Sequence, residues 1–137
     1  MEQLTVMIDG QWHGVSGASQ EALARLREVA PQVLPEQYYQ LLAFSNGGEG
    51  PLEVMPLILV LDSAQCAADP ENIAFHEQTL PGLFVFGSNG VGDFMAFDLR
   101  GPAPPWPVVW FSAIEPQESI QVIAADFAQF MARVGKE

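Results

Sequence analysis

At 137 residues and a net charge of −12, the chain is one domain's worth, long enough to bury roughly two-thirds of the surface its unfolded form exposes. Hydrophobic residues make up 49% of it and charged residues 16%, a balance that excludes a disordered chain and a coiled coil. No Lys or Arg occurs between Arg27 and Arg100, where Glu28, Glu36, Glu49, Glu53, Asp62, Asp69, Glu71, Glu77, Asp93 and Asp98 all fall. That section has no cations for a phosphate backbone or an anionic membrane, so it excludes both partners.

The first residues lack the basic start of a signal peptide, and the longest apolar run, Met55 to Leu61, is far shorter than the ~20 residues that span a bilayer. Cys66 stands alone, which suits a reducing compartment. The expected location is the cytoplasm.

Leu4, Val6 and Ile8 alternate ahead of Asp9-Gly10, a dipeptide suited to a tight hairpin turn. This predicts a β-hairpin extension over residues 1–17. Ser19 is a cap for a helix reaching Ala30, with Ala22, Leu23, Leu26, Val29 and Ala30 as its apolar stripe. A second helix is expected over Pro35–Ser45, with Pro35 in its first turn and Tyr38, Leu41, Leu42 and Ser45 on one face. Asn46-Gly47-Gly48 follows it as a C-cap, because glycine tolerates the left-handed conformation that satisfies the last carbonyls.

After Pro51, "LEVMPLILVL" reads as one or two strands with Pro56 at an edge or bend. Asp62-Ser63 offers a cap for a short helix through "AQCAA", which Pro70 interrupts. "LFVFG", "DFMAFDL" and "WPVVWF", separated by Gly- and Pro-rich connections, suggest an antiparallel meander. Ile123, Phe127, Phe130, Met131 and Val134 recur at helical spacing, giving a terminal helix over Ala125–Val134 with Arg133 and Lys136 complementing its dipole. Helices before and after one antiparallel sheet make an α+β domain spanning residues 1–137.

Little in the chain reads as chemistry. "FGSNGVGDF" lacks the lysine and the strand-to-helix setting of a phosphate loop, and reads as a hairpin connection. His13, His76 and Cys66 are too few and too scattered for a zinc site, and His76 is expected on an exposed loop. No metal or cofactor is expected. Paired carboxylates for an acid–base enzyme stay open as an alternative, since folding can bring distant acids together. Trp106, set between prolines, is expected at the surface.

Two blocks in order, "LPEQYYQLLAFSNGGEG" and "LPGLFVFGSNGVGDFMAFDLRG…WPVVWF", resemble the Smi/Knr-type domain of the SUKH superfamily, as does the terminal "AADFAQFMARV". The resemblance covers residues from about 18 to 134. It implies an α+β fold with no established catalytic activity. It also implies structural roles for Leu34, Pro35, Asn46, Gly47, Gly48, Gly92, Asp93 and Asp98. Many bacterial members resemble immunity proteins that neutralise a toxin, often a nuclease, and others resemble regulators or scaffolds related to a fungal cell-wall-assembly regulator. The leading expectation is therefore a non-enzymatic module that binds a basic toxin domain. Its contacts are expected on exposed loops, at Glu49, Glu53, Glu71, Glu77, Asp93 and Trp106. A regulatory scaffold of the same fold is the alternative.

Overall fold

The Ser19 hydroxyl accepts the Ala22 N–H at 3.1 Å and opens α1 (Gln20–Val29) in the computed structural model, which describes residues 11–135. The expected first strand of the hairpin and its Asp9-Gly10 turn lie outside the described residues. Along α1 the apolar stripe faces inward: Leu26 is fully buried, and Ala22, Leu23, Val29 and Ala30 pack against the core's edge. Pro35 precedes α2 (Glu36–Phe44), which buries Tyr38, Tyr39, Leu41 and Leu42. The two helices are tied outside by Arg27, whose guanidinium grips Glu36 in a two-pronged pair at 2.6 and 2.9 Å and lies over the Tyr39 ring.

The end of α2 corrects the expected cap. Ser45 is extended, at φ −147° and ψ 108°, and no left-handed residue satisfies the last carbonyls. Gly47 and Gly48 do hold positive φ, at 109° and 108°, but they turn the chain straight into β1 (Gly48–Pro51). The first strand thus lies before Leu52, where the sequence reading placed its start. Pro56 falls in the turn to β2 (Ile58–Leu61). Residues 11–18 run beside β1 on its open side, with His13 and Glu49 exchanging backbone hydrogen bonds of 2.8 and 3.1 Å.

Between β2 and the centre of the sheet the chain makes two helices, α3 (Ala64–Ala68) and α4 (Pro70–Thr79). Pro70 does not merely interrupt the first; it starts the second. Its missing N–H is harmless at a helix's first position, and Asp69 caps the turn by accepting the Glu71 N–H at 2.8 Å. The expected meander is present as β3 (Leu83–Ser88), β4 (Asp93–Asp98) and β5 (Val108–Ser112). A short α5 (Pro116–Ser119) leads to β6 (Gln121–Ala124), and α6 (Phe127–Met131) follows. The six strands pair antiparallel in the order β1 to β6, flanked by six helices among the described residues: a single-domain α+β fold.

Alternation along the central strands feeds two cores. Phe84, Phe86, Met95, Phe97 and Val108 face α1, α2, α3 and α6, while Leu83, Val85, Ala96, Val109 and Phe111 form a smaller cluster on the other face with Leu80. Tyr38, Phe86, Phe97, Phe127 and Phe130 interlock in the first, with ring centroids 4.8–6.0 Å apart, in the tilted and edge-on range aromatic pairs favour. The terminal helix is shorter than expected. Ile123 belongs to β6, where pairing with β5 overrides the helical spacing, and Asp126 then caps α6 by accepting the Gln129 N–H at 2.8 Å. Arg133 lies beyond α6 and pairs with Glu53 at 3.0 Å. Trp106, expected at the surface, is buried at 3% exposure, its indole N–H donating to the Val33 carbonyl at 2.8 Å. The buried ring seals the gap between the Pro-rich loop and the entry to α2.

A side chain at Gly48 meets two obstacles. The backbone is left-handed, and a Cβ would lie 2.7 Å from the His13 carbonyl oxygen. Gly48→Val is expected to lose about 1–3 kcal/mol, read as a lower midpoint in a urea or thermal melt. Gly101→Ala, where nothing lies within 4 Å of the added carbon, is the matched control and leaves the midpoint unchanged. Equal midpoints for both variants would show that the turn does not need its glycine.

Candidate functional site

The turn from α3 into α4 creates the one setting where unpaired polar chemistry gathers. Ser63 caps α3 by accepting the Cys66 N–H at 3.1 Å, which places Cys66 on the helix's outer side. Asp69-Pro70 then starts α4, and Asn72, Ile73 and His76 share one of its faces, at helical spacing. That face lies over the end of β3 and encloses a cleft of about 280 Å³. Its polar lining is Asp62, Cys66, Asn72, His76 and Glu77; Phe75, Phe94 and Pro31 are among its apolar walls. The Asn72 amide spans α3 and α4, donating to the Cys66 carbonyl at 3.2 Å and approaching its sulfur at 3.5 Å.

Asp62 is the least comfortable group in this cleft. Its backbone N–H is tied to the Phe86 carbonyl at 2.9 Å, so the residue is fixed to β3. No hydrogen bond or ion pair among the described residues reaches its carboxylate, and burial lifts its pKa from 3.8 to about 6. His76 does not sit on an exposed loop as expected. It is half-buried on α4, its ring meeting Phe94 edge-on at 4.9 Å between centroids. Its Nδ1 is fully buried and unpartnered, and burial pushes its pKa down, so the ring is neutral near pH 7. In the aromatic core, Tyr38 is completely buried and its hydroxyl has no partner among the described residues. Burial first, and then the charge of Asp62, pushes its pKa well up.

Cys, His and Asp in one cleft invite comparison with a cysteine hydrolase, and the electrostatics oppose it. A nucleophilic cysteine needs a lowered pKa and a base within hydrogen-bond reach. Burial raises the Cys66 thiol, Asp62 and Asp69 raise it further, and its hydrogen-bond neighbour is Asn72. Among the described residues no group of three or more His, Cys, Asp or Glu is arranged to hold a metal ion.

The acids expected to meet a partner are scattered by the fold. Glu49 is exposed on β1, and Glu53 is half engaged by Arg133. Asp93 closes the hairpin turn, accepting from the Asn89 amide at 2.9 Å. Glu71 and Glu77 lie on α4 instead of a loop, Glu77 at the cleft's rim with a long 3.4 Å contact from the Gly82 N–H. Trp106 lines a separate apolar groove with Leu34, Pro35 and Phe127. The sequence reading missed the cleft because it treated Asp62 as part of a cap and His76 as a loop residue. Asp69-Pro70, a cap followed by a first-turn proline, was the signal that puts Asn72, Ile73 and His76 on one helical face.

A family model described as SMI1 / KNR4 family (SUKH-1) matches residues 17–133. The chain belongs to this family. The SUKH-1 match takes in every helix and strand from α1 to α6, the whole cleft, and Leu34, Asn46 and the glycine pair. Residues before 17 and after 133 fall outside it. No curated protein matches the chain. SUKH-1 membership points to protein–protein interaction in general, and none of the described helices is long and apolar enough to cross a membrane.

Asp62 makes a stability prediction with a definite sign. A carboxyl whose folded pKa is raised stabilises the fold when protonated, so stability falls as pH rises from about 4 to about 6. At about 1.4 kcal/mol per pKa unit, the ionised group costs about 2–3 kcal/mol at pH 7. Asp62→Asn is expected to be more stable than the parent by up to that amount at pH 7 and no more stable near pH 4. Urea melts across this range test it; a pH-independent difference means the carboxylate is not desolvated.

Proposed function

We propose that this SUKH-1 domain is a non-enzymatic protein-binding module of the cytoplasm, an immunity protein that neutralises a basic toxin domain by covering its substrate-binding surface. The observation that carries this reading is the distribution of cations. Arg27, Arg100 and Arg133 are each engaged by an acid of the chain itself: Glu36, Asp98 and Glu53. The α3–α4 region carries Asp62, Asp69, Glu71 and Glu77 with no Lys or Arg in residues 28–99. Arg25 of α1 borders this region beside Ala68 and Asp69, so the four acids outnumber the cation that adjoins them.

A nuclease must offer Lys and Arg to phosphates, so a protein that covers this surface gains from carboxylates on its own. Complementary charge chiefly accelerates encounter, and rim charges set its salt dependence. Glu53 and Asp93 are partly occupied within the chain, which leaves Glu49, Glu71 and Glu77 as the acids freest to act.

The partner can be isolated by co-purification and its association rate measured over a salt series. The rate is expected to fall as salt rises, since screening sets in over ~10 Å at about 0.1 M. Glu71→Lys/Glu77→Lys is expected to slow association about tenfold or more at low salt while barely changing the melting midpoint. An acidic partner, or a rate indifferent to both salt and charge reversal, would overturn the electrostatic mechanism.

A further inference from the structure

We propose that the cleft beneath α4 receives an arginine side chain of the partner, with the Asp62 carboxylate as its ion-pair acceptor and the Phe75 and Phe94 rings as its walls. The inference rests on the functional reading above and gives it a specific anchor. Three independent features of the cleft lead to it.

The first is size. At about 280 Å³ the cleft falls just under the ~300–1,000 Å³ of pockets that hold cofactors and drug-sized ligands. It fits a single side chain better than a nucleotide. The second is the state of its polar groups. Among the described residues nothing donates to the Asp62 carboxylate, and the half-buried His76 presents a buried Nδ1 without a partner. Polar groups withdrawn from water are almost always satisfied, so an unpaired carboxylate and a buried ring nitrogen in one cleft point to a donor supplied from outside.

The third feature selects the donor. The ligand must bring positive charge, since Asp62 and Glu77 line the cleft with no cation, and several N–H donors, since every orphan can accept. It must also lie against aromatic surface, because Phe75, 57% exposed, and Phe94 flank His76 at ring distances of 5.4 and 4.9 Å. Guanidinium combines a planar fork of five donors with weak hydration and stacking on aromatic rings, whereas an ammonium offers a compact and strongly hydrated charge. Arginine therefore fits better than lysine.

The test uses the intact protein and a free probe, N-acetyl-arginine amide, followed by NMR near neutral pH. Saturable shifts are expected at Asp62, Cys66, His76 and Phe94, with the millimolar affinity usual for a ligand of this size. N-acetyl-citrulline amide, the same shape without the charge, is expected to bind at least about tenfold more weakly. Asp62→Asn should weaken the arginine probe by a similar factor, and Glu118→Gln, exposed on α5, should leave it unchanged. Absence of saturable shifts at the cleft, equal binding of citrulline, or undiminished binding by Asp62→Asn would each overturn the proposal. The citrulline comparison needs no variant, so it decides the matter even where a substitution perturbs folding. Because the probe is not the partner, a cleft that ignores arginine leaves the charge-steered association standing. A partner that binds without salt dependence leaves the cleft's preference for arginine standing.

Discussion

The fold turns on a single buried hydroxyl. Ser45 is the one buried polar side chain among the described residues, and its Oγ donates to the Gly47 carbonyl at 2.6 Å while accepting the Val15 N–H at 3.1 Å. The Trp12 indole N–H reaches the same oxygen at 3.4 Å. One atom thereby joins the end of α2, the glycine turn into β1 and the segment that covers the edge of the sheet. Its neighbour completes the joint. Asn46 donates its backbone N–H to Ser16, its side-chain oxygen accepts the Ala64 N–H at 2.7 Å, and its amide nitrogen donates to Gln65. The Asn-Gly-Gly stop thus organises three neighbouring elements and caps none of its own helix. Without it α3 would lose a backbone partner at its start, and α3 carries Cys66 into the cleft.

From that joint outward, the sheet divides the molecule unequally. One face is sealed by aromatic rings and four helices, and its residues are almost without exposed surface. The other rests on a six-residue cluster, and α4, which packs Ile73 against the first core and His76 against Phe94, buries none of its residues fully. Burial is what stabilises a helix in a protein of this size, because an isolated ten-residue helix is marginal in water. α4 is therefore held by its caps, by Ile73 and by the half-buried His76. Weak packing there is what leaves room for a cleft, and the polar residues that line it are those a tighter core would exclude.

This division also explains what the sequence made legible. β3, β4 and β5 announce themselves because both faces of each are buried, which selects the aromatic and β-branched residues that read as strand. α1 and α2 were legible from their stripes and from Ser19 and Pro35. The failures share a cause in tertiary pairing. Ile123 keeps helical spacing with Phe127 yet lies in β6, because β5 offers backbone hydrogen bonds that local preference cannot see. Trp106 reads as a surface residue among prolines, but the carbonyl that satisfies its indole belongs to Val33, distant in sequence. The cleft was illegible for the same reason: Asp62, Cys66 and His76 come from a strand end and two helices, and no spacing records that the fold brings them together.

What remains is why such a cleft should exist in a domain of marginal stability. Folded domains are stable by about 5–15 kcal/mol, so a desolvated carboxylate costing about 2–3 kcal/mol consumes a large share of the margin. Packing offers an easy escape, since an apolar residue or an asparagine at position 62 would remove the cost without disturbing the Asp62 backbone bond to Phe86. An internal cation would also serve, yet residues 28–99 contain no Lys or Arg, and three of the chain's arginines are held by acids elsewhere. The rest of the fold outweighs this group in the free protein, and a cation brought from outside would recover the difference. Removing one partner of a close charged pair costs several kcal/mol because the other is left desolvated; the Asp62 carboxylate, with no donor among the described residues, resembles that state in the free protein. A cation pairing with it would gain the attraction with much of the carboxylate's desolvation already incurred in folding.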